Sequence, residues 1–251
     1  MEPLVLHYNL IMACHFTGIY DVNRTTTLPD NDYTLVKEWV DSIINQELSG
    51  LLFHNNLSEE TCSIHQNKNV QFVKVKHNPV YNPNIYRYFV YRNYLRETDR
   101  KIKNLFITDV SDVVIIQNPF KQQLYLENPT SLFCGDEEKI LDNEWMQEHS
   151  AHLRSKIDDY LKYEIHFKTA KLLNCGIIGG NIEIMQPFLE NLCTIHEQFN
   201  SDNKTGYTGD MGAFNYLART QFNRQLIFGE PVNTKFKSYE TNRTDCWFRH
   251  K

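Results

Sequence analysis

The chain has 251 residues, a net charge of −5 and 41% hydrophobic residues. This length and composition are typical of one globular domain with a sizeable core, so we expect a single domain over residues 1–251. The acidic balance and the lack of a basic cluster argue against a nucleic-acid-binding protein.

Six cysteines are spread along the chain without a C-x-x-C pair. Reduced thiols in a cytoplasmic protein are the favoured interpretation, and a zinc site or a disulfide framework is the weaker one. Residues 1–16 are apolar but interrupted at positions 7–9, and they have no basic n-region, so they indicate a strand and not a signal peptide. No run approaches the roughly 18 apolar residues of a membrane span.

The first half of the chain alternates short apolar runs with helical patterns. Strands are expected over residues 4–14, 51–54, 70–75 and 105–107, and helices over residues 33–46 and 83–96. Residues 17–32 form either an ordinary surface loop or a loop that wraps a bound base. The alternation predicts an α/β fold in which βα units build a mainly parallel sheet.

The second half has longer elements. Strands are expected over residues 131–135, 172–180 and 224–228, and helices over residues 144–162, 182–199 and 210–221. The charged pattern of residues 144–162 predicts one long, solvent-facing helix, and residues 235–251 have the composition of a polar tail.

The most informative stretch is an apolar strand that runs into Asp109-Val110-Ser111-Asp112. In an extended strand Asp109 and Asp112 would point to opposite faces, so they can share a ligand only if the chain turns between them, which Ser111 allows. Ligands of α/β sheets bind at the C-terminal ends of strands, and carboxylates buried there need a cationic partner. A divalent metal carrying a diphosphate would fit. The alternative is that one aspartate caps the next element and the other is exposed.

Two later segments are candidates for ligand contact. In Leu173-Asn174-Cys175-Gly176 the glycine lets the backbone approach a ligand and Asn174 can donate hydrogen bonds, although a β-bulge explains the glycine equally well. Asp210 falls at the predicted N-cap of a helix, which by itself explains an aspartate. Its carboxylate could also accept a proton from a hydroxyl or hold that hydroxyl.

Cationic residues flank these segments. His250 lies between Arg249 and Lys251 at the C-terminus, and it is either structural or a ligand that completes the metal site. Arg87 and Arg92 are spaced i and i+5 on a predicted helix, so at most one is expected to reach a cleft, and solvated helix charges are the alternative.

Taken in order, these segments resemble the GT-A glycosyltransferases. The resemblance is to small nucleotide-diphospho-sugar transferases with a D-x-x-D metal motif, including the glycosyltransferase domain of lysyl hydroxylases and small viral or bacterial enzymes. It spans the chain from about Pro83 onwards and rests on Tyr86-Arg87-Tyr88-Phe89, Thr108-Asp109-Val110-Ser111-Asp112, Leu173-Asn174-Cys175-Gly176, Gly209-Asp210-Met211-Gly212-Ala213-Phe214-Asn215 and Arg249-His250-Lys251. Met211 departs from the glutamine usual in the family.

The resemblance implies a GT-A fold with a mixed, mainly parallel sheet, a nucleotide-sugar donor (UDP-sugar favoured), a glycan or glycoprotein acceptor, and Mn²⁺ or Mg²⁺. It makes Asp109, Asp112 and His250 the metal ligands and Asp210 the catalytic carboxylate. The donor-binding residues that it implies are Arg87, Asp109, Ser111, Asn174, Gly176 and Lys251. Residues 1–120 would form the half that binds the nucleotide-sugar, and residues 121–251 the half that binds the acceptor.

The sequence leaves two alternatives to a glycosyltransferase. A sugar-nucleotide pyrophosphorylase or metal-dependent hydrolase is disfavoured, because residues 10–18 lack a Gly-rich signature with basic residues after the first strand. A catalytically silent nucleotide- or glycan-binding protein on the same fold is the main alternative, although the presence of both aspartates counts against it.

Overall fold

The computed structural model describes residues 9–21, 25–199 and 209–251. Its strands are β1 Asn9–His15, β2 Tyr20–Asp21, β3 Thr26–Thr27, β4 Gly50–His54, β5 Val70–Lys74, β6 Asn104–Thr108, β7 Val113–Ile115, β8 Leu132–Ile140, β9 Lys171–Asn181, β10 Leu226–Phe228 and β11 Phe248–His250. Its α-helices are α1 Thr34–Asn45, α2 Glu59–His65, α3 Pro83–Glu97, α4 Gln123–Glu127, α5 Glu144–His149, α6 Ala151–Arg154, α7 Tyr160–Phe167, α8 Ile182–Phe199 and α9 Asp210–Gln221. One 3₁₀ turn covers Pro119–Lys121.

Seven strands form the central sheet, in the order β10-β8-β9-β6-β1-β4-β5. Every neighbouring pair is parallel except those of β9, which runs antiparallel to both β6 and β8. The apolar runs of β1, β4 and β6 are buried almost throughout, as expected for parallel strands covered on both faces. The predicted mixed, mainly parallel α/β fold is confirmed.

Apolar side chains on the two faces of the sheet form two separate cores. One contains Tyr88 of α3, Phe188 of α8 and Phe214 of α9. The other contains Trp39 of α1 and Phe106 of β6, together with Trp247 from the C-terminal segment. The helical spacing of apolar residues in α1 predicted this burial, because positions three and four apart share one helix face. Both layers of helices therefore hold the sheet by hydrophobic packing.

The helix predicted over residues 144–162 is wrong. The segment forms three short helices, α5, α6 and α7, and Met146, Leu153 and Tyr160 are buried against the core. Charged residues dominate the sequence pattern, but the breaks between the helices allow the spaced apolar residues to face α9. The hydroxyl of Tyr160 donates a 3.1 Å hydrogen bond to the carbonyl of Gly212 in α9.

The polar tail predicted over residues 235–251 is also wrong at its end. Trp247, Phe248 and His250 are at most 1% exposed, and β11 pairs antiparallel with β7. Burial of the two aromatic rings outweighs the polar character of the neighbouring residues. The strand predicted over residues 131–135 continues to Ile140. Residues 4–8 of the first predicted strand lie outside the described residues.

The six cysteines are free thiols, as the sequence predicted. No described helix combines the length and the hydropathy that crossing a bilayer requires.

Gly179 in β9 provides a test of the packing between β9 and β6. A Cβ atom at Gly179 would lie 2.1 Å from Cδ1 of Phe106, whereas one at Gly135 in β8 would meet its nearest atoms at an ordinary 3.5 Å. Gly179→Ala should therefore lower the free energy of unfolding by about 1–3 kcal/mol through overpacking. The measurement is urea denaturation, with Gly135→Ala as the matched control, for which we expect little change. Equal stability of the two variants would contradict this packing.

Candidate active site

A cleft of about 570 Å³ lies where the parallel strands β1 and β6 end. His15 at the end of β1 and Phe16 after it line the cleft, as do Asp109 and Asp112 after β6. The start of β9 forms part of the same wall, because β9 runs opposite to β6. The cleft therefore occupies the position where α/β sheets bind ligands.

The chain turns directly after β6, as the spacing of the two aspartates required. The backbone N–H of Asp109 donates a 2.8 Å hydrogen bond to the carbonyl of Gly176, which fixes Asp109 against β9. A bend follows over residues 110–112, and the chain then re-enters a strand as β7. The bend allows Asp109 and Asp112 to line the same cleft.

His250 is brought to these aspartates by the pairing of β11 with β7. Its register partner is Val113, next to Asp112, and the N–H of Lys251 donates a 2.8 Å hydrogen bond to the carbonyl of Asp112. One ligand atom from each of Asp109, Asp112 and His250 lies within 4.8 Å of the other two. Two carboxylates and an imidazole therefore face a common point.

The polar atoms of this cluster fit a bound cation. Within the described part of the chain, neither ring nitrogen of the buried His250 makes a hydrogen bond, and neither does Oδ1 of Asp112. The Nε2 atom of His250 lies 3.9 Å from Oδ2 of Asp112. Burial lowers the pKa of His250 to about 4, although the charge of Asp112 opposes this shift, so the imidazole is neutral near pH 7. Neutral imidazole and carboxylates are the forms that coordinate metals.

Gly176 lies so close to His250 and Asp109 that no side chain fits there. A Cβ atom there would lie 2.5 Å from Cε1 of His250 and 2.7 Å from Oδ2 of Asp109. The side chain of Asn174 closes the local turn, because its Oδ1 accepts a 2.7 Å hydrogen bond from the N–H of Gly176. Its Nδ2 donates to Oε1 of Glu137 at 2.9 Å. Asn174 thus joins the metal cluster to a carboxylate across the cleft.

Arg87 is a buried cation between two carboxylates. It forms an ion pair with Asp109, and its Nη2 lies 3.8 Å from Oδ2 of Asp210. Burial opposes the charge of Arg87, but the facing Tyr88, Cys175 and Asp210 favour it, and its pKa is raised. Arg92 instead pairs with Glu197 at 2.8 Å and does not line the cleft. The expectation that one of the two arginines reaches the cleft is met by Arg87.

Asp210 does not cap its helix. The N-cap residue is Gly209, which has the left-handed backbone that glycine accommodates, and α9 begins at Asp210 without a side-chain cap bond. The carboxylate is 6% exposed and lines the cleft, and the Cys175 thiol is 3.7 Å from its Oδ2. The capping interpretation is therefore wrong. Asn215, one turn further along, bonds both backbone groups of Leu173 and so fixes α9 against β9.

Ser111 lines the cleft as predicted, whereas Lys251 does not. The Lys251 ammonium forms an ion pair with Glu38 of α1. Its role as a donor-binding residue stays a prediction.

Glu137, which lines the cleft beyond Asn174, was not predicted from the sequence to have a role. Burial raises the pKa of Glu137, and the hydrogen bond from Asn174 and the charges of Lys139 and Lys237 oppose the rise. The signal in the sequence was the acidic run at residues 136–138, but strand periodicity did not extend that far.

Aromatic side chains in the cleft were also missed. Trp145 and His149 of α5 stack with ring centroids 3.7 Å apart, and Trp145 keeps 36% of its surface exposed. The Phe236 ring packs against His250 at 4.4 Å. These residues lie in the two segments whose predicted structure was wrong, so the sequence pattern could not place them.

Removal of a cluster ligand should abolish the metal site. We expect Asp112→Asn and His250→Ala each to weaken Mn²⁺ binding, measured by calorimetry. Loss of a residue that only hydrogen-bonds to a metal ligand lowers metal affinity roughly 10–100-fold, so loss of a ligand itself should lower it more. Glu138→Gln is the matched control, since Glu138 is an exposed acid that pairs with Lys235 outside the cluster. Mn²⁺ affinity that is the same in all three variants and the parent would rule out this cluster as the site.

Comparison with known proteins finds matches at the level of structure. No protein-family model and no curated protein sequence matches the chain. The solved structures that match include the bifunctional glycosyltransferase WbbM in its apo form, with a TM-score of 0.56 and 14% identity, covering 100% of this chain and 46% of that one. They also include the galactosyltransferase LgtC in complex with donor and acceptor sugar analogues, with a TM-score of 0.51 and 12% identity, covering 96% of this chain and 86% of that one. The chain thus has the fold of these GT-A type glycosyltransferases.

Proposed function

We propose that this chain is a metal-dependent glycosyltransferase that moves a sugar from a nucleotide-sugar donor, with a UDP-sugar favoured, to a hydroxyl of a glycan acceptor. The observation that carries the proposal is the cluster of Asp109, Asp112 and His250, which lies in a cleft at the C-terminal edge of the sheet. The fold shared with two glycosyltransferases supports the same conclusion.

The residues of the cluster would hold Mn²⁺ or Mg²⁺. Among the described residues neither the ring nitrogens of His250 nor Oδ1 of Asp112 has a hydrogen-bond partner, which supports this assignment because buried polar atoms otherwise find partners. When bound, such an ion neutralises the negative charge of the diphosphate leaving group. The protein supplies the position and a dry surrounding, since His250 is almost fully buried.

The donor sugar would lie between Arg87, Asn174 and Asp210. All three line the cleft next to the cluster, and together they offer a guanidinium, an amide and a carboxylate to sugar hydroxyls. We retain Ser111 and Gly176 as neighbours of the donor on the same wall. In this arrangement residues 1–120 would supply Arg87 and the two metal-binding aspartates to the nucleotide-sugar site, and residues 121–251 would supply Asn174, Asp210 and His250 to it as well as the acceptor side.

Asp210 would serve one of two roles in the transfer. In the reaction the bond between the anomeric carbon and the diphosphate oxygen breaks, and the acceptor oxygen bonds that carbon and loses its proton. If the configuration inverts, Asp210 accepts this proton as the general base. If the configuration is retained, Asp210 positions the donor sugar. Its burial beside Arg87 is compatible with both roles.

The acceptor side would include Trp145 and Glu137. An exposed indole face supported by the His149 ring can pack against the apolar C–H face of a pyranose, and a carboxyl group can bind its hydroxyls. Both residues belong to the second half of the chain. These features favour a sugar acceptor over a small apolar one.

Thermal-shift measurements test the function directly. In the presence of Mn²⁺ we expect a UDP-sugar, or failing that a GDP-sugar, to raise the melting temperature, because a ligand that binds only the folded state stabilises it. A chelator should remove the shift. No shift with any UDP-, GDP- or CMP-sugar would contradict the proposal. Binding without turnover on any glycan would point instead to a silent binding protein.

Replacement of Asp210 separates chemistry from binding. With an acceptor identified from a glycan array, we expect Asp210→Asn to reduce kcat by roughly 100-fold to 10,000-fold, the range that general base catalysis contributes. Unchanged donor affinity would indicate the base, and a parallel loss of donor affinity would indicate the positioning role. Asp142→Asn, at an exposed aspartate outside the cleft, is the control. A kcat for Asp210→Asn equal to that of the control would remove Asp210 from the mechanism.

A further inference from the structure

The diphosphate of the proposed donor needs a cation besides the metal, and the structure does not bring the expected one to the cleft. The Lys251 ammonium pairs with Glu38 of α1, and Lys251 is not part of the cleft lining. The cleft itself is lined by Asp109, Asp112, Asp210 and Glu137. A dianionic group entering among these acids requires a compensating positive charge.

Lys237 lies in the cleft lining on the side of His250. The preceding residue, Phe236, packs its ring against the imidazole with centroids 4.4 Å apart. The Nζ atom of Lys237 lies 5.0 Å from the centroid of the same Phe236 ring. The ammonium is thus held on the same ring that covers a proposed metal ligand.

The other cationic side chains of the cleft lining are Arg87 and Lys139. Arg87 pairs with Asp109 and also faces Asp210. Lys139 lies in β8, two residues after Glu137, whereas Lys237 directly follows the ring that packs on His250. Among the described residues Lys237 forms no ion pair, whereas Lys235, two positions earlier, pairs with Glu138 at 3.0 Å. Lys237 is therefore available for an anion next to the metal cluster.

The backbone at Lys237 is also unusual. Its φ angle is 62°, in the left-handed region that is costly for residues other than glycine. Four other described residues besides glycine also have a positive φ angle, and none of them lines the cleft, so the angle supports the site only together with the position of Lys237. Here the conformation accompanies a lysine directly after the ring that packs on His250.

We propose that Lys237, rather than Lys251, is the side chain that binds the diphosphate group of the nucleotide. This inference rests on the proposed function, and it assigns the charged contact to the loop before β11 instead of the C-terminal residue. An ammonium in this position would donate charge-assisted hydrogen bonds to phosphate oxygens. It would also favour departure of the nucleoside diphosphate.

Calorimetry with inorganic pyrophosphate and with UDP, each at saturating Mn²⁺, tests the assignment. Lys237→Gln should weaken the affinity for both ligands roughly tenfold or more, as expected for loss of a hydrogen bond between charged groups. Affinity for Mn²⁺ alone should stay unchanged, and Lys237→Arg should restore most of the binding. Lys251→Gln should bind both ligands like the parent, and Lys235→Gln is the matched surface control.

The outcomes separate the inference from the function on which it rests. If the parent binds UDP and Lys237→Gln binds it equally well, the assignment of Lys237 is wrong. A loss of affinity in Lys251→Gln alone would return the role to Lys251. If the parent binds Mn²⁺ but neither pyrophosphate nor any nucleoside diphosphate, the proposed function fails and the assignment fails with it. Melting temperatures of the variants show whether each one is folded.

Discussion

The candidate site depends on the pairing of two three-residue strands, β7 and β11. That pairing places His250 beside Asp112, although the two residues are far apart in sequence. So short a ladder contributes little on its own, and the buried rings of Trp247 and Phe248 hold it in place. Each ring contributes on the order of 1.5–3 kcal/mol of hydrophobic stabilisation. This stabilisation offsets the cost of burying the His250 ring without hydrogen bonds to the described residues, a cost that a bound cation would remove.

A second constraint comes from the charges around Arg87. Asp109 follows β6 and Asp210 begins α9, so two elements deliver a half-buried and a buried carboxylate to one place. Like charges so close together repel each other in a region with little water. The guanidinium between them reduces this repulsion and fixes both groups. Removing one partner of such a set leaves an uncompensated buried charge, which costs several kcal/mol. The position of Asp210 therefore depends on a residue from the helix before the metal motif.

The sequence predicted those parts of the fold that local patterns determine. Helix α9 begins and ends at the predicted residues and α8 begins at the predicted residue, because apolar periodicity and flanking residues mark these boundaries. The pattern failed where tertiary packing decides the structure. Residues 144–162 have a charged, helical composition, yet burial of Met146 and Tyr160 divides them into short helices. Residues 247–250 follow a polar segment, and nothing local indicates that they pair with β7. The same reason explains why three residues of the cleft were not predicted. Trp145 and Lys237 lie in the two segments whose structure was predicted wrongly, and Glu137 lies in the part of β8 beyond the predicted strand.

The reversed direction of β9 explains how the remaining site residues meet. Parallel strands deliver their C-terminal ends to the cleft, and Asp109 arrives in this way. Because β9 is antiparallel, its first residues lie at that same edge, which brings Asn174 and Gly176 beside Asp109. The pairing of the partner strand β8 with β9 is irregular between Asp136 and Ile140, and Glu137 lies in this part, where it accepts a hydrogen bond from Asn174. Gly176 completes the arrangement, since any side chain there would displace both His250 and Asp109. The antiparallel strand β9 thus connects two parts of the site. It lies beside the cluster of Asp109, Asp112 and His250, and through Asn174 it reaches the carboxylate of Glu137.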